Sequence, residues 1–196
     1  FVMGKAESAY SRSAAIHEVA PVNRAFVLKL KAECPGYVTS HWFPDREPGT
    51  VIHGFRNENI ERQSFADAVF DCVISLDVME HIFHPDAAYR EIYRTLKPGG
   101  LYIHTFPIKK SQLPAMIDRA VLNPDGSITH LLNPPEYHGN PIDAKGSLVT
   151  KDYGHAIGRQ IAEWAPFDVE ITRFWDRSHG LMGEFSEVVI CRKPAG

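Results

Sequence analysis

The sequence predicts an α/β domain: a mostly parallel sheet with helices on both faces, an antiparallel strand pair at its C-terminal end, and a lid insertion. Three observations predict it. "DCVISL" (71–76) is a near-continuous apolar run, the pattern of a parallel strand buried on both faces. "DAAYREIYRTLK" (86–97) places Ala88, Tyr89, Ile92, Tyr93 and Leu96 at spacings of three and four, which defines one helical face. "LYIHTFP" (101–107) is the next strand, so strand, helix and strand form one right-handed crossover unit. Lys97 is expected in the last helical turn, with Pro98 and Gly99 as the stop.

The remaining elements follow in order. "AAIHEVA" (14–20) reads as a short strand, and Pro21 as the opening of a helix over "VNRAFVLKLKAE" (22–33). Ala25, Phe26, Leu28 and Leu30 give that helix its apolar face, and "CPG" closes it. "YVTSHWF" (37–43) is strand-like, "PDREPG" (44–49) a turn, and "TVIHGF" (50–55) a further strand. From about 108 to 150 the pattern changes to Pro, Asn and Gly in "NPDGS", "NPPEYHGNP" and "DAKGS". That length exceeds an ordinary connection, and its aromatic and His content favours an ordered lid. "DYGHAIGRQIAEWA" (152–165) reads as helix, while "DVEITRFWD" and "EFSEVVICRK", joined through "RSHGLMG", read as the antiparallel pair.

Composition bounds the function. At 196 residues one domain spanning 1–196 is the expectation, with a substantial core. A formal charge of −3 with no long basic run argues against a nucleic-acid backbone as partner. Cys34, Cys72 and Cys191 are widely spaced with no Cys-x-x-Cys pair, so neither a disulfide framework nor a thiolate metal site is indicated, and a reducing cytoplasm is the expected setting. No secretory signal and no membrane-length apolar stretch is read, and because the sequence opens on Phe1, further residues upstream are expected. Oligomeric state is left open.

"NENIERQSFADAVFDCVISLDVMEHI" (57–82) followed by "YREIYRTLKPGGLYIHTFP" (89–107) resembles the class I S-adenosylmethionine-dependent methyltransferases of the type 11 kind. The resembling features are an amide residue before the Ser-Phe pair, Phe-Asp at the fourth strand, Glu-His after it, and Leu-Lys-Pro-Gly-Gly before the fifth. The resemblance implies a Rossmann-like fold, S-adenosylmethionine as cofactor with S-adenosylhomocysteine as product, and methyl transfer. The lid segment "PPEYHGNP" (134–141) resembles that of a subgroup associated with polysaccharide biosynthesis, which implies a small-molecule or glycan-linked acceptor, methylated at a hydroxyl oxygen.

The resemblance also assigns positions. Glu18 stands for the usual acidic residue of the first turn, but Ala20 and Pro21 lie where glycines let a bare backbone approach the cofactor. Asn59 is read as an adenine-contacting amide, with Ile60 beside it as an apolar wall and backbone donor, or as a turn-forming Asn. Ser40 is read as a ribose contact or a plain strand end. Leu76 and Val78 are expected to line the adenosine pocket, and Asp77 to cap the next turn or touch substrate.

His81 is the general-base candidate, since imidazole accepts a hydroxyl proton near neutral pH, or it makes a structural hydrogen bond. Tyr137 and His138 face the acceptor or belong to a rigid Pro-framed turn. Glu80 with His81-x-x-His84 raises a metal site, but Pro85 and the lack of a third ligand and supporting shell lead to an expectation of none. A catalytically inactive binding or scaffold module is the competing reading, supported by "HEVAPVNR" (17–24). A nicotinamide oxidoreductase would need a Gly-x-Gly-x-x-Gly turn, which the chain lacks.

Overall fold

A strand that is apolar on both faces has to be covered from both sides, and the strand predicted at 71–76 is. In the computed structural model, which describes residues 13–22, 24–112, 114–140 and 145–196, that strand is β5 (Phe70–Leu76), with Cys72 to Ser75 all buried. Ahead of it come β1 (Ile16–Val19), α1 (Ala25–Glu33), β2 (Tyr37–His41), β3 (Val51–Ile52) and β4 (Phe55–Asn57). After it come a tight 3₁₀ turn (Met79–His81), α2 (Pro85–Thr95) and β6 (Leu96–Thr105). The stretch expected as a lid, about 108–150, then contributes β7 (Met116–Asp118), β8 (Ala120–Leu122), β9 (Ile128–His130), β10 (Tyr137–His138) and β11 (Ser147–Leu148), and β12 (Lys151–Tyr153) follows it. The chain closes through α3 (Ile157–Trp164), β13 (Asp168–Arg173) and β14 (Glu187–Arg192).

The main sheet has eight strands in the order β13-β14-β6-β5-β1-β2-β4-β3. β4, β2, β1, β5 and β6 run parallel, while β14, β13 and β3 are antiparallel to their neighbours. This is the predicted mostly parallel sheet with its C-terminal antiparallel pair. One face carries α2 and α3, whose fully buried Ala88, Tyr89, Ile92, Ile157 and Ile161 pack on Val73, Tyr102 and Val189. The opposite face carries α1, whose Leu30 meets Ile16, Ile74 and Ile103. Each Ile or Leu so buried contributes about 1.5–3 kcal/mol relative to exposure.

Several boundaries differ from the sequence expectations. α1 starts at Ala25 rather than at Pro21, and it buries Val27 and Leu30 while Leu28 is 57% exposed. A nine-residue helix offers two faces at spacing three, and the one continuing to Cys34 meets the sheet. Lys97 lies beyond the end of α2, in β6, where its ammonium pairs with Asp71 at 2.8 Å. "TVIHGF" is not one strand but the β3–β4 hairpin, turning on His53 and Gly54 with φ of +51° and +84°.

Residues 152–156 are not helical. Asp152 and Tyr153 pair with β7, and Gly154 follows because a Cβ there would lie 2.1 Å from the Pro114 carbonyl oxygen. The lid region is ordered in three two-stranded ladders, β7–β12, β8–β9 and β10–β11. Its Pro141 and the start of "DAKGS" lie outside the described residues.

Candidate functional site

From β1 the chain runs outward to β2 and β4, then returns to set β5 on the other side of β1. Such a reversal of strand order leaves a crevice beyond the carboxyl ends of the two strands, where loops diverge. Both ends bordering it are left-handed at residues other than glycine: Ala20 has φ +48° and Asp77 has φ +55°. The Ala20 N–H donates to the Ser40 carbonyl at 2.8 Å, and the Asp77 N–H to the Thr105 carbonyl at 3.0 Å. Thr105 also donates its hydroxyl to Asp77 Oδ1 at 3.0 Å, so the exposed carboxylate is oriented. Ala20 therefore holds the backbone conformation that a glycine in the first turn would favour.

The other sequence-derived cofactor residues fall into two groups. Glu18 and Ser40 have partners within the sheet layers. The Tyr37 hydroxyl donates to the buried Glu18 carboxylate, whose pKa burial pushes up against that bond. Ser40 Oγ shares a hydrogen bond with His17 Nε2 at 2.8 Å. Leu76, Asp77 and Val78 follow one another at the end of β5, and Ile60 shares a core cluster with Val78. Asn59 Oδ1 accepts the Glu61 N–H at 2.8 Å, a turn-forming contact that leaves one lone pair of that oxygen. Ile60 and Val78 pack into the α2–α3 core, and Leu76 against the opposite one.

At the end of β2 an open cleft of about 350 Å³ is lined by His41, Trp42, Phe43, Arg46 and the lid's Asn140. Its floor is fixed by buried Asn57, whose amide donates to the carbonyls of Phe43, Arg46 and Glu47.

The 3₁₀ turn after β5 carries Glu80 and His81, and the lid docks on it. Thr150 N–H and Oγ1 donate to the Glu80 carbonyl, and the Tyr153 hydroxyl donates to that of Met79 at 2.9 Å. His81 Nδ1 lies 2.8 Å from the Leu148 carbonyl; a carbonyl only accepts, so Nδ1 is the protonated nitrogen and Nε2 carries the lone pair. Burial lowers the His81 pKa. His138 comes within 5.3 Å of His81, ring centre to ring centre, at nearly a right angle. Its Nε2 lies 3.2 Å from Glu136 Oε1, and Glu136 in turn pairs with Arg119 at 3.2 Å.

The structure thus brings His81 and His138 together, while Tyr137, next in the chain, is 53% exposed. His84 is exposed too, and its N–H donates to Glu61. The residue that sequence reasoning undervalued is Glu80. It is 2% exposed, burial pushes its pKa to about 8, and neither carboxylate oxygen has a hydrogen-bond partner among the described residues. The signal was the Glu-His pair after a buried strand, which at a strand end delivers one side chain inward.

Comparison with known proteins is consistent with this geometry. Residues 38–104 match the model of the methyltransferase domain family. A comparison with curated proteins finds no match. Among solved structures, an S-adenosylmethionine-dependent methyltransferase from Mesorhizobium loti is 13% identical with a TM-score of 0.60, over 96% of each chain. A glycopeptide N-methyltransferase solved with S-adenosylhomocysteine is 14% identical at TM-score 0.59, over 98% of this chain and 88% of that one. The Burkholderia thailandensis 1,6-didemethyltoxoflavin-N1-methyltransferase, solved with that substrate and S-adenosylhomocysteine, is 11% identical at TM-score 0.56, over 97% and 76%. At these identities the likeness establishes the fold. The architecture is thus Rossmann-like, and residues 38–104 within it are similar to a methyltransferase domain.

Proposed function

We propose that the chain transfers the methyl group of S-adenosylmethionine to a hydroxyl oxygen of a small-molecule or glycan-linked acceptor. The observation that carries this reading is the first turn: Ala20 at φ +48° keeps the backbone of the missing glycine at the point where the strand order reverses. The sulfonium donor is already activated, so the protein has chiefly to bind, align and, for a hydroxyl, take up a proton. Asn59 and Ile60 would hold the adenine, Leu76 and Val78 the adenosine wall, and Ala20 and Asp77 the methionine portion. His81 supplies the base, with its Nδ1 hydrogen on Leu148 and its Nε2 lone pair free for the acceptor proton. Two of the fold neighbours are solved with S-adenosylhomocysteine, and one of these also with 1,6-didemethyltoxoflavin, which supports a small acceptor.

The inactive-module reading draws on the absent glycines, and calorimetry separates the two. Saturable binding of S-adenosylmethionine and S-adenosylhomocysteine near one equivalent is expected, weakened in Asn59→Ala. His81→Ala is expected to lower turnover by about 10²–10⁴-fold with little change in cofactor affinity. A folded chain that binds neither ligand would establish the inactive module.

A further inference from the structure

The buried Glu80 carboxylate, which methyl transfer as proposed does not use, faces two imidazoles. Glu80 Oε1 lies 3.9 Å from His81 Nε2 and 3.6 Å from His138 Nδ1, and the three ligand atoms are all within 4.8 Å of one another. These separations are too long for hydrogen bonds. The two Glu80 separations exceed by only a few tenths of an ångström the edge of a tetrahedron about a cation bound at ~2.1 Å, roughly 3.4 Å, so small side-chain shifts seat the ion. The Glu80 carboxylate is buried with both oxygens unpartnered among the described residues, a costly arrangement unless something sits between it and the imidazoles.

We propose that Glu80, His81 and His138 form a binding site for one divalent first-row transition cation of the zinc class, with at least one coordination position open. Two imidazoles and a carboxylate are the donor set of such ions rather than of Mg²⁺ or Ca²⁺, which take oxygen ligands. The outer partners needed to orient the ligands are in place. The His81 Nδ1 hydrogen is engaged by the Leu148 carbonyl, and His138 Nε2 by the Glu136 carboxylate, so in each ring the other nitrogen is the one turned to Glu80. The sequence expectation against metal rested on Pro85 and on the lack of a third ligand and supporting shell beside His81-x-x-His84; the folded chain brings His138 to Glu80 and His81 instead. A seated cation uses the His81 Nε2 lone pair, so the base role of His81 belongs to the cation-free protein.

The test is titration of the untagged, chelator-stripped full chain with Co²⁺, followed by visible absorption, and with Zn²⁺ by competition, in the absence of cofactor. One equivalent of Co²⁺ with intense d–d bands of low coordination number is expected, displaced by Zn²⁺ and not by Mg²⁺. His138→Ala, on the half-exposed lid strand, is expected to lose at least 100-fold in affinity, and Glu136→Gln about 10–100-fold through the freed imidazole. Glu80→Gln is expected to abolish the bands. Absence of saturable binding, or equal affinity in wild type and His138→Ala, overturns the site. Because no S-adenosylmethionine is present, failure of the methyl-transfer reading leaves this result untouched, and the reverse holds.

Discussion

Ala20 sits at φ +48° because its N–H is tied to Ser40 and the chain must turn off β1 at the crevice. A Cβ in that region costs more than the entropy a glycine loses on folding. Ala20→Gly is therefore expected to stabilise the chain by about 0.5–1 kcal/mol, read as a higher urea midpoint at unchanged slope. A lower midpoint would show that the turn is unstrained. Two buried histidines set the acid limit. Burial, reinforced at His17 by the Arg56 charge, lowers the pKa of His17 and of His104 from 6.5 to about 3. Both stay neutral in the folded chain while the unfolded chain takes up protons below 6.5. Their stabilising contribution is thus present above pH 6.5 and lost progressively as pH falls from there toward 3. The urea midpoint is expected to fall over that interval, and His104→Gln, whatever its offset, to give a shallower fall. An unaltered slope would remove His104 from the account.

At the scale of elements, the crossover β5–α2–β6 was legible because each piece satisfies one periodicity over many residues, as Ala88, Tyr89 and Ile92 show by being fully buried. The stretch expected as a lid was legible only as a break in periodicity. Its strands are two or three residues long, too short for alternation to register, and they are fixed by partners such as Thr150 on Glu80 and Tyr153 on Met79, 70 and 74 positions apart. The same distant pairing converts residues 152 and 153 from a helical reading into part of β12. Gly154 makes that junction testable. A Cβ there meets the Pro114 and Gln112 carbonyl oxygens at 2.1 and 2.7 Å, so Gly154→Ala is expected to cost about 1–3 kcal/mol and to open the lid ladders first. Hydrogen exchange should show lost protection at Lys109 and Gly154, whose amides bond across this junction, ahead of β5 and β6. Uniform loss across the sheet would mean that the lid and sheet unfold as one unit.

The whole molecule joins two kinds of information. The sheet and its reversal point follow from runs of apolar residues, whereas Ala20, Asn59 and Asp77 were singled out only through the family resemblance; of these, Ala20 and Asp77 stand at the strand ends bordering the crevice. The closeness of His138 to Glu80 is a property of the folded lid alone, since no local pattern relates residues 58 positions apart in the chain. The cofactor reading makes a claim on the molecule as a unit, because a ligand that binds only the folded chain raises its stability by mass action. S-adenosylhomocysteine at 100 times its Kd is expected to add about 2.7 kcal/mol to the unfolding free energy. Asn59→Ala, at a half-buried side chain outside the core clusters, should keep wild-type stability without ligand within about 1 kcal/mol, allowing for its turn contact with Glu61. It should then gain less than wild type at the same ligand concentration, because the adenine contact is gone. Equal gains would move the adenine from Asn59 to another part of the crevice. No gain in either protein, with the urea slope unchanged, would mean that the left-handed turn at Ala20 preserves the shape of a cofactor site without its affinity.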